Sequence, residues 1–333
     1  MGAKKANKEV VMRVGIIGLG IIGKVHKSIL TAMGENIVAI CDIDQTVLSA
    51  CSEVNCYVDY KDMLERERLD VVHICTPHYL HTEMILATLE KDIHVLCEKP
   101  MCINAEDIPL ILAAEQRSKG KLAICHQNRY NNVNAYLKEY VSDKNILSAH
   151  GELIWCRGKA YYEQANWRGE KATEGGGVLI NQALHTLDLM QWFCGMPNSV
   201  KGRMENFSLK DVINVEDTAT MLCEGDTRFT FFATNTGGAD MPTEIRLTLS
   251  NGENIVAYPD ELYINGNMVT EEDMRFVLGK CCYGNGHEKL IADFYDCIRQ
   301  GKPFPIDGKE ASKVVKMILA AYESNGEKIN IKG

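Results

Sequence analysis

The chain has 333 residues, 46% hydrophobic and 24% charged, with a formal net charge of −9; that length and balance suit two globular domains with ordinary cores. The negative charge disfavours nucleic acid and membrane surfaces as partners, since both are polyanionic. No apolar run reaches the ~18 residues of a membrane span, and Met1 to Ala6 show neither a signal-peptide core nor a myristoylation motif, so a cytoplasmic protein is expected.

The first element is a short apolar strand over 12–17, suited to a buried parallel sheet. It breaks into Gly18-x-Gly20-x-x-Gly23 and then into a helix over 21–33. Gly18 permits a tight turn, Gly20 lets a pyrophosphate approach the backbone, and Gly23 lets the helix pack close to the strand. At Ile21 and Ile22 the helix start presents unpaired N–H groups and the positive end of its dipole to phosphates. A second strand, 37–41, ends in Asp42, 19 residues beyond Gly23, where such a fold needs a carboxylate for the adenosine ribose hydroxyls. A 2′-phosphate about 4 Å from it would cost about 4 kcal/mol at an effective dielectric of 20. With no arginine in the next several residues, the expected cofactor is NAD, with NADP disfavoured.

Alternation continues with helices over 45–54 and 60–67, a strand over 71–75, a helix over 79–91, a strand over 93–98, a helix over 104–118 and a strand over 122–126. That is an α/β pattern, a Rossmann-type doubly wound parallel sheet with ligand at the carboxyl ends of its strands. Three of those ends carry Cys75-Thr76-Pro77, Glu98-Lys99-Pro100 and His126-Gln127-Asn128-Arg129. Lys99, in a Lys-Pro turn that can be cis, would aim its ammonium toward the nicotinamide. Gln127 is a candidate for nicotinamide or substrate contact.

The texture then changes, so residues 1–128 are expected to form the nucleotide domain and 129–333 a substrate-binding and oligomerising domain. The second domain reads as α+β on a mainly antiparallel open sheet. It has a helix over 133–142, a strand over 147–156, an irregular aromatic stretch over 161–174 and a long helix over 176–194. Strands follow over 199–207, 217–224, 228–235, 244–249, 253–258 and 261–264, and helices over 286–300 and 309–323 close the chain. On a helix over 176–194, Asn181 and His185 are i and i+4 and His185 and Asp188 are i and i+3, which puts all three on one face. The opposite positions are apolar, so the face is buried and its polar groups need partners. Tyr161, Tyr162, Trp167 and Arg168 precede the glycine run and suit either the apolar face and hydroxyls of a ligand or plain core packing and surface burial, and His287 opens a late helix from which it could line the pocket.

Thirteen cysteines are scattered through strand-like contexts without a CxxC pair, and Cys281-Cys282 lacks a second pair at zinc spacing. They read as reduced thiols, and no metal is expected.

In their order, the glycine motif at 18–23, Asp42, Thr76-Pro77 with His81, Glu98-Lys99-Pro100, Arg129 and the stretch from Gly175 to Asp188 make the chain resemble the Gfo/Idh/MocA family over roughly 12–330. The family is named for glucose-fructose oxidoreductase, inositol dehydrogenase and a rhizopine-catabolism protein. The resemblance implies an NAD(P) domain in which Thr76, Pro77, His81, Glu98 and Lys99 join the cofactor site. It also implies an open sheet forming homodimers or homotetramers, and a sugar or cyclitol substrate held between Lys99 and His185. Many members carry aspartate where this chain has Asn181, which cannot take a proton though it still donates to and accepts from a hydroxyl.

The reaction so implied is oxidation of a secondary ring alcohol. His185, about three-quarters neutral at pH 7 if its pKa is about 6.5, takes the hydroxyl proton. Lys99 stabilises the alkoxide, and Asp188 orients or supports the imidazolium. Two rival readings use the same fold: a redox-neutral glycoside lyase or hydrolase working through a transient keto-sugar, and a non-catalytic NAD-binding regulator. Retention of both Lys99 and His185 speaks against the second.

Overall fold

A computed structural model describes residues 11–271 and 284–331; Cys281 and Cys282 lie outside the described residues. Its first half is built on β1 (Arg13–Ile17), α1 (Ile21–Met33), β2 (Asn36–Cys41), α2 (Gln45–Ser49), β3 (Asn55–Tyr57), α3 (Tyr60–Arg66), β4 (Val71–Ile74), α4 (His81–Leu89), β5 (His94–Cys97), α5 (Asp107–Arg117) and β6 (Leu122–Ile124). The six strands form one sheet in the order β3-β2-β1-β4-β5-β6, every pair parallel. Apolar runs make this possible: Val14, Ile16, Ile74, Val95 and Leu96 are fully or almost fully buried, as central parallel strands covered on both faces require.

The second half comprises α6 (Asn132–Tyr140), β7 (Ile146–Ile154), α7 (Lys159–Tyr162), α8 (Lys171–Glu174), α9 (Leu184–Cys194), β8 (Ser199–Glu205), β9 (Thr218–Glu224), β10 (Arg228–Thr234), β11 (Glu244–Leu249), β12 (Asn254–Ala257), β13 (Glu261–Ile264), β14 (Asn267–Glu271), α10 (Gly286–Arg299), α11 (Gly308–Ser324) and β15 (Lys328–Asn330). Its sheet runs β14-β13-β12-β11-β7-β10-β9-β8-β15. Within this sheet only β7 and β10 pair parallel among the described strands. In β9 and β10 buried and non-buried residues alternate, the mark of a sheet covered on one face. Helix α10 returns to the first sheet, where its Tyr295 hydroxyl lies 3.0 Å from His73 Nε2 on β4.

The long helix expected over 176–194 is shorter: α9 begins at Leu184. Residues 175–183 instead wrap around Glu216. Gly177 and Leu179 donate their N–H groups to its carboxylate at 2.8 and 3.1 Å. A Cβ on Gly177 would stand 1.8 Å from the Glu216 carbonyl oxygen, so only glycine permits this approach. Asn181 therefore lies outside the helix that carries His185. Two short helices, α7 and α8, interrupt the expected irregular stretch.

Candidate active site

Elements from both halves enclose a cavity of about 780 Å³. At one end lies the glycine loop. Gly18 sits at φ 86° and a Cβ there would meet the Cys75 carbonyl at 2.7 Å, so the turn against β4 excludes a side chain. A Cβ on Gly23 would stand 2.0 Å from the Gly18 carbonyl oxygen, whereas one on Gly20 would meet nothing within 4 Å. Gly20 thus opens onto the cavity, whose wall includes Gly18, Ile21 and Ile22. The three glycines fit a pyrophosphate lying on the start of α1. Asp42 follows β2, accepts the Leu19 N–H at 2.7 Å and shares the wall with Asp59. Two carboxylates at this end strengthen the case against a 2′-phosphate.

Thr76, Pro77, Glu98, Lys99 and Gln127 follow strands β4, β5 and β6 and also line the cavity. His81 does not belong to the wall. It is fully buried, with its ring nitrogens 2.7 Å from the Pro100 carbonyl and 2.9 Å from that of Thr76, so it clamps two cofactor-side loops together rather than touching a ligand. The Lys99–Pro100 peptide is cis. Lys99 Nζ donates to the Asn181 carbonyl at 3.0 Å and to Asn181 Oδ1 at 3.2 Å. Burial pushes this ammonium below its ordinary value, while Glu98 and Glu174 pull it back up.

His185, Asn181, Gln182, Trp167, Arg168 and His287 supply the second-domain side of the wall. Burial first, and the Lys99 charge second, hold the His185 imidazole well below its usual pKa. The ring is therefore neutral at pH 7. Its Nε2 lies 3.4 Å from the Gln127 amide nitrogen, and its Nδ1 is buried without a hydrogen-bond partner. Asp188 was expected to support this ring but turns away. Both its oxygens bind Arg129 at 2.7 Å, because the turn after β6 brings that guanidinium beside α9. Of the aromatic pair, Tyr161 lines the cavity, whereas Tyr162 is core, its hydroxyl accepting from Asn235 at 3.0 Å.

Three groups that bear on the site escape sequence inspection. Glu174 is fully buried and accepts from the Gly169 N–H at 2.5 Å and from Asn181 Nδ2; burial pushes its carboxyl up to about 7. Arg157 and Trp155, both just beyond the end of β7, also enter the wall. Behind Glu98, His26 Nε2 stands 3.0 Å from its carboxylate and His26 Nδ1 2.8 Å from His73 Nδ1. Against the penalty of burial, Cys75 and Glu98 raise His26 to about 10, so an imidazolium faces the carboxylate. Donor atoms of His26, Glu98, Cys125 and His287 all lie within 4.8 Å of one another. These four sit too far apart in sequence for any metal-ligand spacing to announce them. The eleven described cysteines are free thiols, nine of them buried.

A parallel sheet with a glycine-rich phosphate turn, closed over by an α+β half that presents a histidine and meets a strand-end lysine, is the architecture of a class of dinucleotide-binding proteins. Comparison with known proteins makes this specific. Residues 12–126 match the model of an oxidoreductase family with an NAD-binding Rossmann fold, Gfo/Idh/MocA, and residues 145–253 match a C-terminal domain of the same family; the chain belongs to that family. Inositol 2-dehydrogenase of Salmonella typhimurium is 30% identical over 191 residues, 54% of each chain, so the match spans about half the length of that relative. D-glucoside 3-dehydrogenase of Escherichia coli is 25% identical over 343 residues, covering 95% of both. The WlbA dehydrogenase of Chromobacterium violaceum, solved with NADH and UDP-GlcNAcA, superimposes with a TM-score of 0.87 at 25% identity over 98% of this chain and 97% of that one. Levoglucosan dehydrogenase with NADH and levoglucosan shares the fold, with a TM-score of 0.86 at 20% identity over 97% and 100% of the two chains.

Proposed function

We propose that the chain oxidises, with NAD, a secondary hydroxyl of a sugar, glycoside or cyclitol. The observation that carries this reading is a cavity whose wall joins the glycine loop to Lys99 and to a neutral, partly buried His185. The activities named for relatives of this chain, on inositol and on glucosides, belong to the same chemical class. NAD bound on the glycine loop supplies the hydride acceptor. The rest falls to side chains.

Lys99, steadied by Asn181, offers its N–H groups to the oxygen that becomes an alkoxide, where a charged donor in a dehydrated cavity acts strongly. The long 3.4 Å contact between Gln127 and His185 Nε2 is one that a substrate hydroxyl can replace, and Nε2 then receives the hydroxyl proton. Asn181 takes no proton and holds Lys99. His287, Trp167 and Arg168 contact the substrate. Asp188 acts through Arg129 and the packing of α9.

Replacing His185 by alanine should lower turnover by on the order of 10²–10⁴, with NADH formation as the readout across a panel of monosaccharides, glycosides, sugar nucleotides and cyclitols. Turnover within tenfold of the wild type would remove His185 from the reaction, and substrate consumption without net NADH would point to the redox-neutral route. We assign no metal to this reading; a stoichiometric metal in the purified protein would contradict that. Leu147 on β7, Leu222 on β9 and Met268 on β14 are exposed, and we assign this sheet to a homo-oligomer, which a monomeric mass in solution would exclude.

A further inference from the structure

Arg168 is a cation in the cavity wall to which the proposed reaction gives a contact with the substrate but no step in the chemistry. It follows α7, and its guanidinium stacks 4.4 Å from the Tyr161 ring centroid and 5.5 Å from that of Trp167. Its two hydrogen bonds both leave from Nη1, to the Tyr161 carbonyl and to Gln164 Oε1, each at 3.2 Å. Its Nε is buried without a partner. Among the described residues it forms no ion pair.

A second arginine in the same wall shows the contrast. Arg157 stacks on Trp155 at 4.6 Å and on Tyr161 at 5.5 Å, but Asp240 neutralises it at 2.7 and 3.0 Å. The acid whose carboxyl senses Arg168 is Glu174, which burial pushes up to about 7 and which already accepts from Gly169 and Asn181. It is only part of a counter-ion at neutral pH. Lys99 likewise rests its ammonium on neutral oxygens of Asn181. The substrate side of the cavity therefore presents two cations whose direct partners are uncharged.

A partly dehydrated charge without a counter-ion is unfavourable, and a guanidinium with unused N–H groups is shaped for a carboxylate or phosphate. Building on the dehydrogenase reading, we propose that the substrate carries an anionic substituent, a carboxylate or a phosphate ester, received by Arg168. Arg168 and Lys99 line one cavity, so the anion and the reacting hydroxyl belong to one small molecule.

The test compares matched probes by equilibrium binding to the NAD-loaded protein: methyl glucuronide against methyl glucoside, and glucose 6-phosphate against glucose. One anionic member should bind at least about tenfold more tightly than its neutral partner, the scale of one charge-assisted hydrogen bond. Which pair responds separates carboxylate from phosphate. Arg168→Gln should bring the ratio to within about twofold, and Arg168→Lys, which keeps the charge, should retain part of it. Equal or weaker binding of both anionic members, the absence of binding included, overturns the proposal, as does an Arg168→Gln that weakens charged and neutral members alike. Binding preference without any NADH formation would sustain the anion site and refute the dehydrogenase reading, while NADH formation without the preference would do the reverse.

Discussion

Asn181 sits between two charged groups. Its Oδ1 accepts from Lys99 Nζ at 3.2 Å and its Nδ2 donates to Glu174, so one amide is complementary to both neighbours. An aspartate in its place would suit the lysine but set a second acceptor against Glu174 inside the protein, where two carboxylates share a proton rather than both ionise. The asparagine is thus matched to the glutamate seven residues before it. We predict that Asn181→Asp lowers stability by about 1–3 kcal/mol, the cost of leaving a buried acceptor without its donor, and lowers turnover with it. Adding Glu174→Gln returns a donor and should recover most of the loss. The measurement is a double-mutant cycle in denaturant and in kcat/KM; additivity within ~0.5 kcal/mol would show that the two positions act independently.

The turn from β1 into α1 separates the two uses of glycine. A Cβ at 23 collides with backbone at 2.0 Å, whereas one at 20 meets open space. Gly23→Ala should accordingly reduce the melting temperature together with NAD affinity. Gly20→Ala should leave the melting temperature within a few degrees of the wild type and weaken NAD binding alone, which calorimetric titration reads; equal melting losses in the two variants would refute this division. This motif is legible in sequence because three glycines within six residues carry out a local task, and the alternating apolar runs up to Ile124 are legible for the same reason. The loop before His185 is not. Its path is set by Glu216, whose carboxylate reaches back 39 residues to Gly177, and a helical pattern of apolar residues conceals that. Asp188 is misread likewise, since its true partner, Arg129, is 59 residues away, and His26, bound to a carboxylate 72 residues on, passes unread. Glu174 lies close in sequence to Asn181, yet only burial reveals its role.

Across the whole molecule, histidine protonation links folding to pH. Burial holds His73, His78, His81, His94, His126, His185 and His287 below the ordinary imidazole value of 6.5. Once unfolded they bind protons near that value, so below about pH 6.5 the unfolded chain takes up more protons than the folded one and stability falls as pH drops. His26 behaves oppositely. Raised to about 10, it contributes fully below 6.5 and loses that contribution as pH climbs toward 10. Glu115 and Glu174, both pushed up to about 7 by burial, and Glu216, also raised by burial, stabilise below their unfolded values near 4.5 and lose that contribution as pH rises through their folded values, which softens the acid limb without reversing it, since seven rings oppose three carboxyls. Lowered carboxylates such as Glu98 and Asp188 add a further loss in stronger acid. The melting temperature should therefore peak near neutrality and decline on both sides, most steeply below about pH 6. Scanning calorimetry at constant ionic strength reads this directly; a melting temperature that rises steadily from pH 7 to pH 5 would mean that the buried rings are not held neutral, and would remove the basis for treating His185 as a ready proton acceptor.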